Sequence, residues 1–70
     1  MRRYTQEEIN KLITIEGNIR YIKNMNFDNC DLSNLNLSDI KFIDCSFECA
    51  NLQRANFQWA DLEGANLGKG

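Results

Sequence analysis

Every fifth residue from position 27 to position 67 is Phe or Leu, and that period rules out the two ordinary ways in which a chain folds. The series runs Phe27, Leu32, Leu37, Phe42, Phe47, Leu52, Phe57, Leu62 and Leu67. Two residues before each member stands a second, small or apolar series: Met25, Cys30, Leu35, Ile40, Cys45, Ala50, Ala55, Ala60 and Ala65. On an α-helix, at about 100° per residue, a five-residue step turns by about 140° and scatters such positions around the axis. On a straight strand the same step sends successive members to opposite faces, because side chains alternate. A chain that runs extended for about three residues, with the first and third pointing inward, and then bends over about two brings both series onto one filled axis.

The residue between each inward pair supports this reading. Asn26, Asp31, Asn36, Lys41, Ser46, Asn51, Asn56, Asp61 and Asn66 occupy that place, and seven of the nine are Asn or Asp. Short polar side chains of this kind hydrogen-bond nearby backbone and stabilise bends, which a coil with many corners needs repeatedly. The remaining two positions of each repeat, such as Gln53-Arg54 and Glu63-Gly64, are mostly polar and are expected to face solvent.

The stretch Ala50-Asn51-Leu52-Gln53-Arg54, Ala55-Asn56-Phe57-Gln58-Trp59, Ala60-Asp61-Leu62-Glu63-Gly64, Ala65-Asn66-Leu67 resembles the pentapeptide repeat family, whose motif is Ala, Asn or Asp, Leu or Phe, and two variable residues. The resemblance implies an all-β solenoid, a right-handed quadrilateral parallel β-helix in which four repeats make one square turn. Residues 25–70 would then form about two and a quarter coils, with residues 1–24 as an N-terminal capping helix and lead-in. At roughly 4.8 Å between stacked strands such a body is only about 11 Å tall. It would stack apolar columns twenty residues apart: Phe27 under Phe47 under Leu67, Leu32 under Leu52, Leu37 under Phe57, and Phe42 under Leu62. The first coil departs most from the motif, with Met25, Leu35 and Ile40 in place of Ala, and Lys41 and Ser46 in place of Asn or Asp.

Upstream, Thr5-Gln6-Glu7-Glu8 has the Thr and Glu spacing of a capping box, and Ile9, Leu12 and Ile13 share one helical face. A short helix over 6–14 is expected, ending before Gly17 and covering the first coil's open edge, with Ile15, Ile19 and Ile22 continuing the apolar lid. At the other end the cleanest repeats run up to Leu67 and only Gly68-Lys69-Gly70 follow, so no polar cap is evident. That end is expected to associate with a second copy, giving a homodimer whose contact involves Leu52, Phe57, Leu62 and Leu67.

Composition narrows the function. Residues 1–24 carry five bases and three acids, and residues 25–70 carry three bases and seven acids. An acidic body disfavours direct contact with nucleic acid, whose phosphates require Lys and Arg. No apolar run approaches the roughly 20 residues that span a bilayer, and no apolar signal core follows Met1, so a cytoplasmic chain with no membrane contact is expected. The three cysteines, Cys30, Cys45 and Cys49, fit no disulfide framework. Cys45 reads as an inward substitute for Ala and Cys49 as an outward corner residue, so the pair does not converge on a metal. There is no His to activate a thiol and no cofactor motif, so neither catalytic nor cofactor-binding residues are assigned.

Two surface features remain as candidates. Trp59 and Ile43 are large apolar residues at outward positions, expected near one corner in successive coils, and Trp is enriched at binding hot spots. Asp28, Asp44, Glu48 and Glu63 are expected along one vertical edge. A non-catalytic structural or protein-interaction module that presents a polar, acidic surface is the leading reading. The alternative, implied by the resemblance, is a DNA mimic that modulates DNA gyrase or topoisomerase.

Overall fold

A computed structural model describes residues 1–68, so that Lys69 and Gly70, the last two residues of the 25–70 body, lie outside the described residues. The elements in chain order are β1 (Arg2–Arg3), α1 (Gln6–Leu12), β2 (Thr14–Glu16), β3 (Ile19–Lys23), β4 (Cys30–Asp31) and β5 (Lys41–Ile43). The repeats themselves are joined by single parallel bridges, Asn26 to Ser46, Asp31 to Asn51, Asn36 to Asn56, Lys41 to Asp61 and Ser46 to Asn66. Every bridge links residues twenty apart, so the chain passes above itself once in four repeats, and each bridged residue is the one between an inward pair.

The hydrogen bonds explain why that residue does the bridging. The Phe27 amide donates to the Ser46 carbonyl (2.7 Å), and the Ser46 amide donates back to the Met25 carbonyl (3.0 Å). Leu32, Asn51 and Cys30 repeat the same exchange, as do Leu37, Asn56 and Leu35. A third amide per repeat also reaches the next coil, as when Asn29 donates to the Glu48 carbonyl at 2.8 Å. Five bends close when the residue three beyond the Phe or Leu donates to its carbonyl: Cys30 to Phe27, Ala50 to Phe47 at 3.0 Å, Ala55 to Leu52, Ala60 to Phe57 at 2.9 Å, and Ala65 to Leu62. At every described bend the residue at the place before that donor has positive φ, from Asn24, Asn29, Asn34, Asp39 and Asp44 through Cys49, Arg54, Trp59 and Gly64. An i to i+3 bond with positive φ at the third residue is the pattern of a type II turn, and Asn and Asp adopt that conformation most readily after Gly.

The bend-stabilising role expected of the Asn/Asp series is present. The side-chain oxygen of Asn26 accepts the Asp28 amide, and Asp31, Asn36, Asn51, Asn56, Asp61 and Asn66 each accept the amide two residues on. Ser46 makes no such bond, and Asp28 from the coil below replaces it. The Asp28 carboxylate accepts the Glu48 amide at 2.8 Å and the Ser46 hydroxyl.

Inside, Phe27, Leu32, Leu37, Phe42 and Phe47 are buried with Leu35, Ile40 and Cys45. Phe27 and Phe47 stack with centroids 5.2 Å apart, and Phe42 meets Phe47 edge-on at the same distance. Leu52, Phe57 and Leu62 are half-buried, and Leu67 is 42% exposed. Burial therefore fades toward the last coil.

The N-terminal segment differs in detail from expectation. The capping box is formed, with the Glu8 amide donating to Thr5 Oγ1 and the Thr5 amide to Glu8 Oε1, but α1 ends at Leu12 instead of residue 14. The β-branched run Ile13-Thr14-Ile15 favours strand over helix. β2 accordingly pairs antiparallel with β3, Thr14 opposite Tyr21 and Glu16 opposite Ile19, around the two-residue turn Gly17-Asn18. Gly17 has φ of +60°, the geometry a type II′ hairpin turn requires at its first residue. Ile9 is fully buried, and Leu12 and Ile13 pack against the core, so these three lie where a cap needs them. Ile22 is buried too, whereas Ile15 and Ile19 are 67% and 53% exposed and form no part of a lid. β3 pairs parallel with β5 in the twenty-residue register, Ile22 opposite Phe42, so the coil pattern already holds at residues 21–23, ahead of Met25.

β1 has no counterpart among the sequence expectations. It pairs parallel with β4, Arg2 opposite Cys30 and Arg3 opposite Asp31, and the Tyr4 amide donates to the Asp31 carbonyl at 3.1 Å. Tyr4 is buried with its ring edge-on to Phe27, and the Arg2 guanidinium lies 4.1 Å from the Tyr4 ring centre. Arg3 anchors the strand from outside, donating to Asp31 Oδ1 (3.1 Å), the Ser33 carbonyl (2.9 Å) and Ser33 Oγ (2.9 Å). Together β1, α1 and β3 occupy the lower edge of the coil.

Candidate functional site

The two ends of the coil stack are built differently. In the lower coil the amides of Leu32, Asn34, Leu37, Asp39 and Phe42 donate to Asn51, Gln53, Asn56, Gln58 and Asp61 above them. The equivalent amides of the upper coil belong to Leu52, Arg54, Phe57, Trp59 and Leu62, and among the described residues none of these has an acceptor. The Ala55 and Ala60 carbonyls are likewise open among the described residues, although Leu35 and Ile40, twenty positions below, accept from Asn56 and Asp61. The result is an upward-facing row of strand-edge donors and acceptors around half-buried Leu52, Phe57 and Leu62. Leu52, Phe57 and Leu62 are three of the residues assigned to an interface from sequence; Leu67, also assigned there, is 42% exposed and belongs to neither row nor centre.

Trp59 and Ile43 do not share a corner. The register sets Trp59 above Asp39, with Ile19 beside the same cleft, and Lys23, Ile43 and Glu63 in another column, at opposite ends of the wall formed by β3, β5 and the segment around Asp61. Ile43 is half-buried within β5, whereas Trp59 is 79% exposed. On this wall Ile19, Arg20, Asp39, Lys41, Trp59 and Asp61 line a shallow cleft of about 370 Å³. Among the described residues no salt bridge engages Arg20, Lys41, Asp39 or Asp61. Tyr21, on the same wall, donates to Glu16 Oε2 at 3.2 Å, and burial together with this carboxylate pushes its phenol pKa up, so it remains a neutral donor.

The backbone at Trp59 is itself unusual. Its φ is 65°, in a region that bulky side chains avoid at roughly 1–2 kcal/mol. Arg54, in the same conformation, at least bonds the coil below through Nε to Asn34 Oδ1 at 2.8 Å. Trp59 has no comparable contact among the described residues, being exposed instead of packed.

The acids are also distributed differently from expectation. Asp28 and Glu48 stack at one bend, while Asp44 and Glu63 lie in adjacent columns of the preceding one, flanking the wall of Asn26, Ser46 and Asn66 instead of lining one edge. Asp28 is engaged by Ser46 and Glu48, and Glu48 accepts from Asn66 Nδ2 at 3.4 Å. At the lower end Asp31 is held below the usual carboxylate range by the Ser33 hydroxyl and amide and by Arg3.

The cysteines lie as the repeat dictates: Cys30 and Cys45 are buried and Cys49 is exposed. Burial pushes the Cys45 thiol pKa up, and its Sγ donates to the Ile22 and Ile43 carbonyls at 3.4 Å. Among the described residues no group of three or more His, Cys, Asp or Glu could hold a metal ion, and no helix is long and apolar enough to cross a membrane.

Neither the comparison with curated proteins nor that with solved structures finds a match. The comparison with protein-family models does, through pentapeptide repeats in eight copies over residues 22–48 and 30–68, a span that takes in the stacked repeats and the β3 residues below them. A twenty-residue register, a left-handed residue recurring at the bends and this match together show that the chain belongs to the pentapeptide repeat family.

Proposed function

We propose that this chain is a protein-interaction module that self-associates as a homodimer through the open upper edge of its last coil. Membership of the pentapeptide repeat family supports a non-catalytic repeat module, and the unpartnered amides of Leu52, Arg54, Phe57, Trp59 and Leu62 carry the choice of surface. A strand edge with an apolar centre is a template for pairing with another chain. A two-fold, end-to-end contact buries the same edge on both copies and closes the assembly, whereas head-to-tail stacking would have to displace β1 and α1 and would continue into fibres. Leu52, Phe57, Leu62 and Leu67 form the contact and Trp59 its rim. The right-handed, quadrilateral form of the β-helix, and a cytoplasmic location, belong to the same proposal.

A DNA mimic acting on gyrase or topoisomerase has weaker support. Asp28 is engaged in an inter-coil hydrogen-bond set, and Lys23 lies in the column of Glu63, so the acidic corners form no continuous row of free charge. Light scattering across a range of concentrations tests the leading reading. A dimer or higher species is expected, and a polar capping helix appended after Gly70 is expected to abolish the end-to-end contact. An unmodified chain that stays monomeric at high concentration defeats the proposal, and inhibition of gyrase supercoiling by the monomer would favour the mimic.

A further inference from the structure

The wall that carries Trp59 is complementary to itself. Strand alternation sets Ile19 beside Tyr21 on β3, the register sets Lys41 and Asp61 above Tyr21, and Asp39 and Trp59 stand beside these around the cleft that Ile19 lines, giving three rows of two. Suppose two copies face each other across this wall about a two-fold axis parallel to the coil axis. Each residue of one column then meets the other column of its partner at the same level. Ile19 meets the aromatic ring of Tyr21, the Asp39 carboxylate meets the Lys41 ammonium, and the Trp59 indole N–H meets the Asp61 carboxylate, so each row supplies a favourable pair twice. An axis running across the coils would instead set Asp39 against Asp39 and Lys41 against Lys41. Charge pattern therefore selects one of the two arrangements.

We propose that this wall is a second, lateral interface between copies of this chain, independent of the end-to-end contact. Two further observations point to the same surface. Asp39, Lys41 and Asp61 have no salt-bridge partner among the described residues, although opposite charges stand side by side. Trp59, at the left-handed bend position of its repeat, leaves its indole 79% exposed next to the cleft, a large apolar surface of the kind that a second copy buries. The lateral axis runs along the coils and the end-to-end axis runs across them. Where the two axes intersect, they close a tetramer of D2 symmetry instead of an open chain.

Solution mass of designed variants separates the two contacts. Lys41→Asp opposes Asp39 with a like charge, yet it restores Asp at the bend-stabilising position of its repeat and should keep the fold, as circular dichroism can verify. Trp59→Gly removes the indole and relieves the left-handed strain, so it too should fold at least as well as the parent; since Trp59 also rims the end-to-end contact, Lys41→Asp and its charge exchange are the variants that assign a change of mass to this wall. Each variant is expected to halve the mass of the parent assembly, from four chains to two, or from two to one if the end-to-end contact fails. Exchanging both charges, Asp39→Lys with Lys41→Asp, is expected to restore the parent mass. A folded Lys41→Asp or Trp59→Gly protein with unchanged mass overturns the proposal, as does a parent chain that is monomeric throughout.

Discussion

Asp28 offers a sharp test of how this fold repairs its own sequence irregularities. Seven repeats stabilise their bend with a local Asn or Asp that accepts the amide two residues on, and Ser46 does not. Asp28 takes over from the coil below, accepting the Glu48 amide at 2.8 Å and the Ser46 hydroxyl. Hydrogen bonds to a charged acceptor contribute about 1.5–3 kcal/mol each, and partial exposure here lowers the combined effect to about 1–2 kcal/mol for Asp28→Ala. In a domain of this size that is a fall in Tm of roughly 5–15 °C. Ser46→Asn supplies the missing local acceptor, so in its presence Asp28→Ala should cost only a few tenths of a kcal/mol, leaving a coupling of about 1 kcal/mol. Thermal melts of the parent, the two single variants and the double variant, followed by circular dichroism, measure that coupling. If Asp28→Ala destabilises equally with and without Ser46→Asn, the cross-coil replacement plays no part in stability and the reasoning fails.

Other consequences follow from burial and charge. Phe47→Ala opens the buried stack between Phe27 and Phe42 and should cost about 3–5 kcal/mol, whereas Leu67→Ala, at a position 42% exposed, should cost under about 1 kcal/mol; equal melting curves would contradict the graded core. The lowered pKa of Asp31 means that the folded state favours its ionised form, so its contribution is complete above the ordinary carboxylate value and disappears as pH falls through the depressed one. Below about pH 4 the Asp31–Arg3 contact should therefore loosen before the core does, visible by NMR as shifts at Arg3 and Ser33 that precede those at Phe42, and Asp31→Asn should remove that early phase. Brief alkylation of the folded chain should modify Cys49 and spare the buried Cys30 and Cys45, with all three reacting in denaturant; rapid labelling of Cys45 would show that the coil opens readily.

Much of the architecture is legible in the sequence because it depends on periodicity alone. The inward Phe/Leu column and the Asn/Asp bends can be read from the five-residue step, and the stacked rings of Phe27 and Phe47 lie where that step puts them. The features that escape a sequence reading depend on competition between local preferences or on tertiary partners. The helix stops at Leu12 because the β-branched run Ile13-Thr14-Ile15 precedes Gly17, a signal masked by the capping box and the apolar spacing of Ile9, Leu12 and Ile13. β1 carries no comparable signal: Arg2 and Arg3 form a strand only because Asp31 and Ser33 stand where they can hold Arg3. The left-handed bend residue is visible as Asn24, Asn29, Asn34, Asp39 and Asp44 at five-residue spacing, which solvent exposure alone does not explain. Outward position alone sets Ile43 and Trp59 at one corner, but a bend has two outward positions, and the register separates these residues by a whole wall.

The most direct measurement of the central claim is amide hydrogen exchange at the upper edge, followed by NMR at low and high protein concentration. Leu32, Asn34, Leu37, Asp39 and Phe42 donate within the chain and should be protected at both concentrations, serving as internal references. If the chain associates through its open coil, the amides of Leu52, Phe57 and Leu62 should exchange fast in dilute solution and become protected as concentration rises. Fast exchange at these three positions at every concentration, with the reference amides protected throughout, would contradict it.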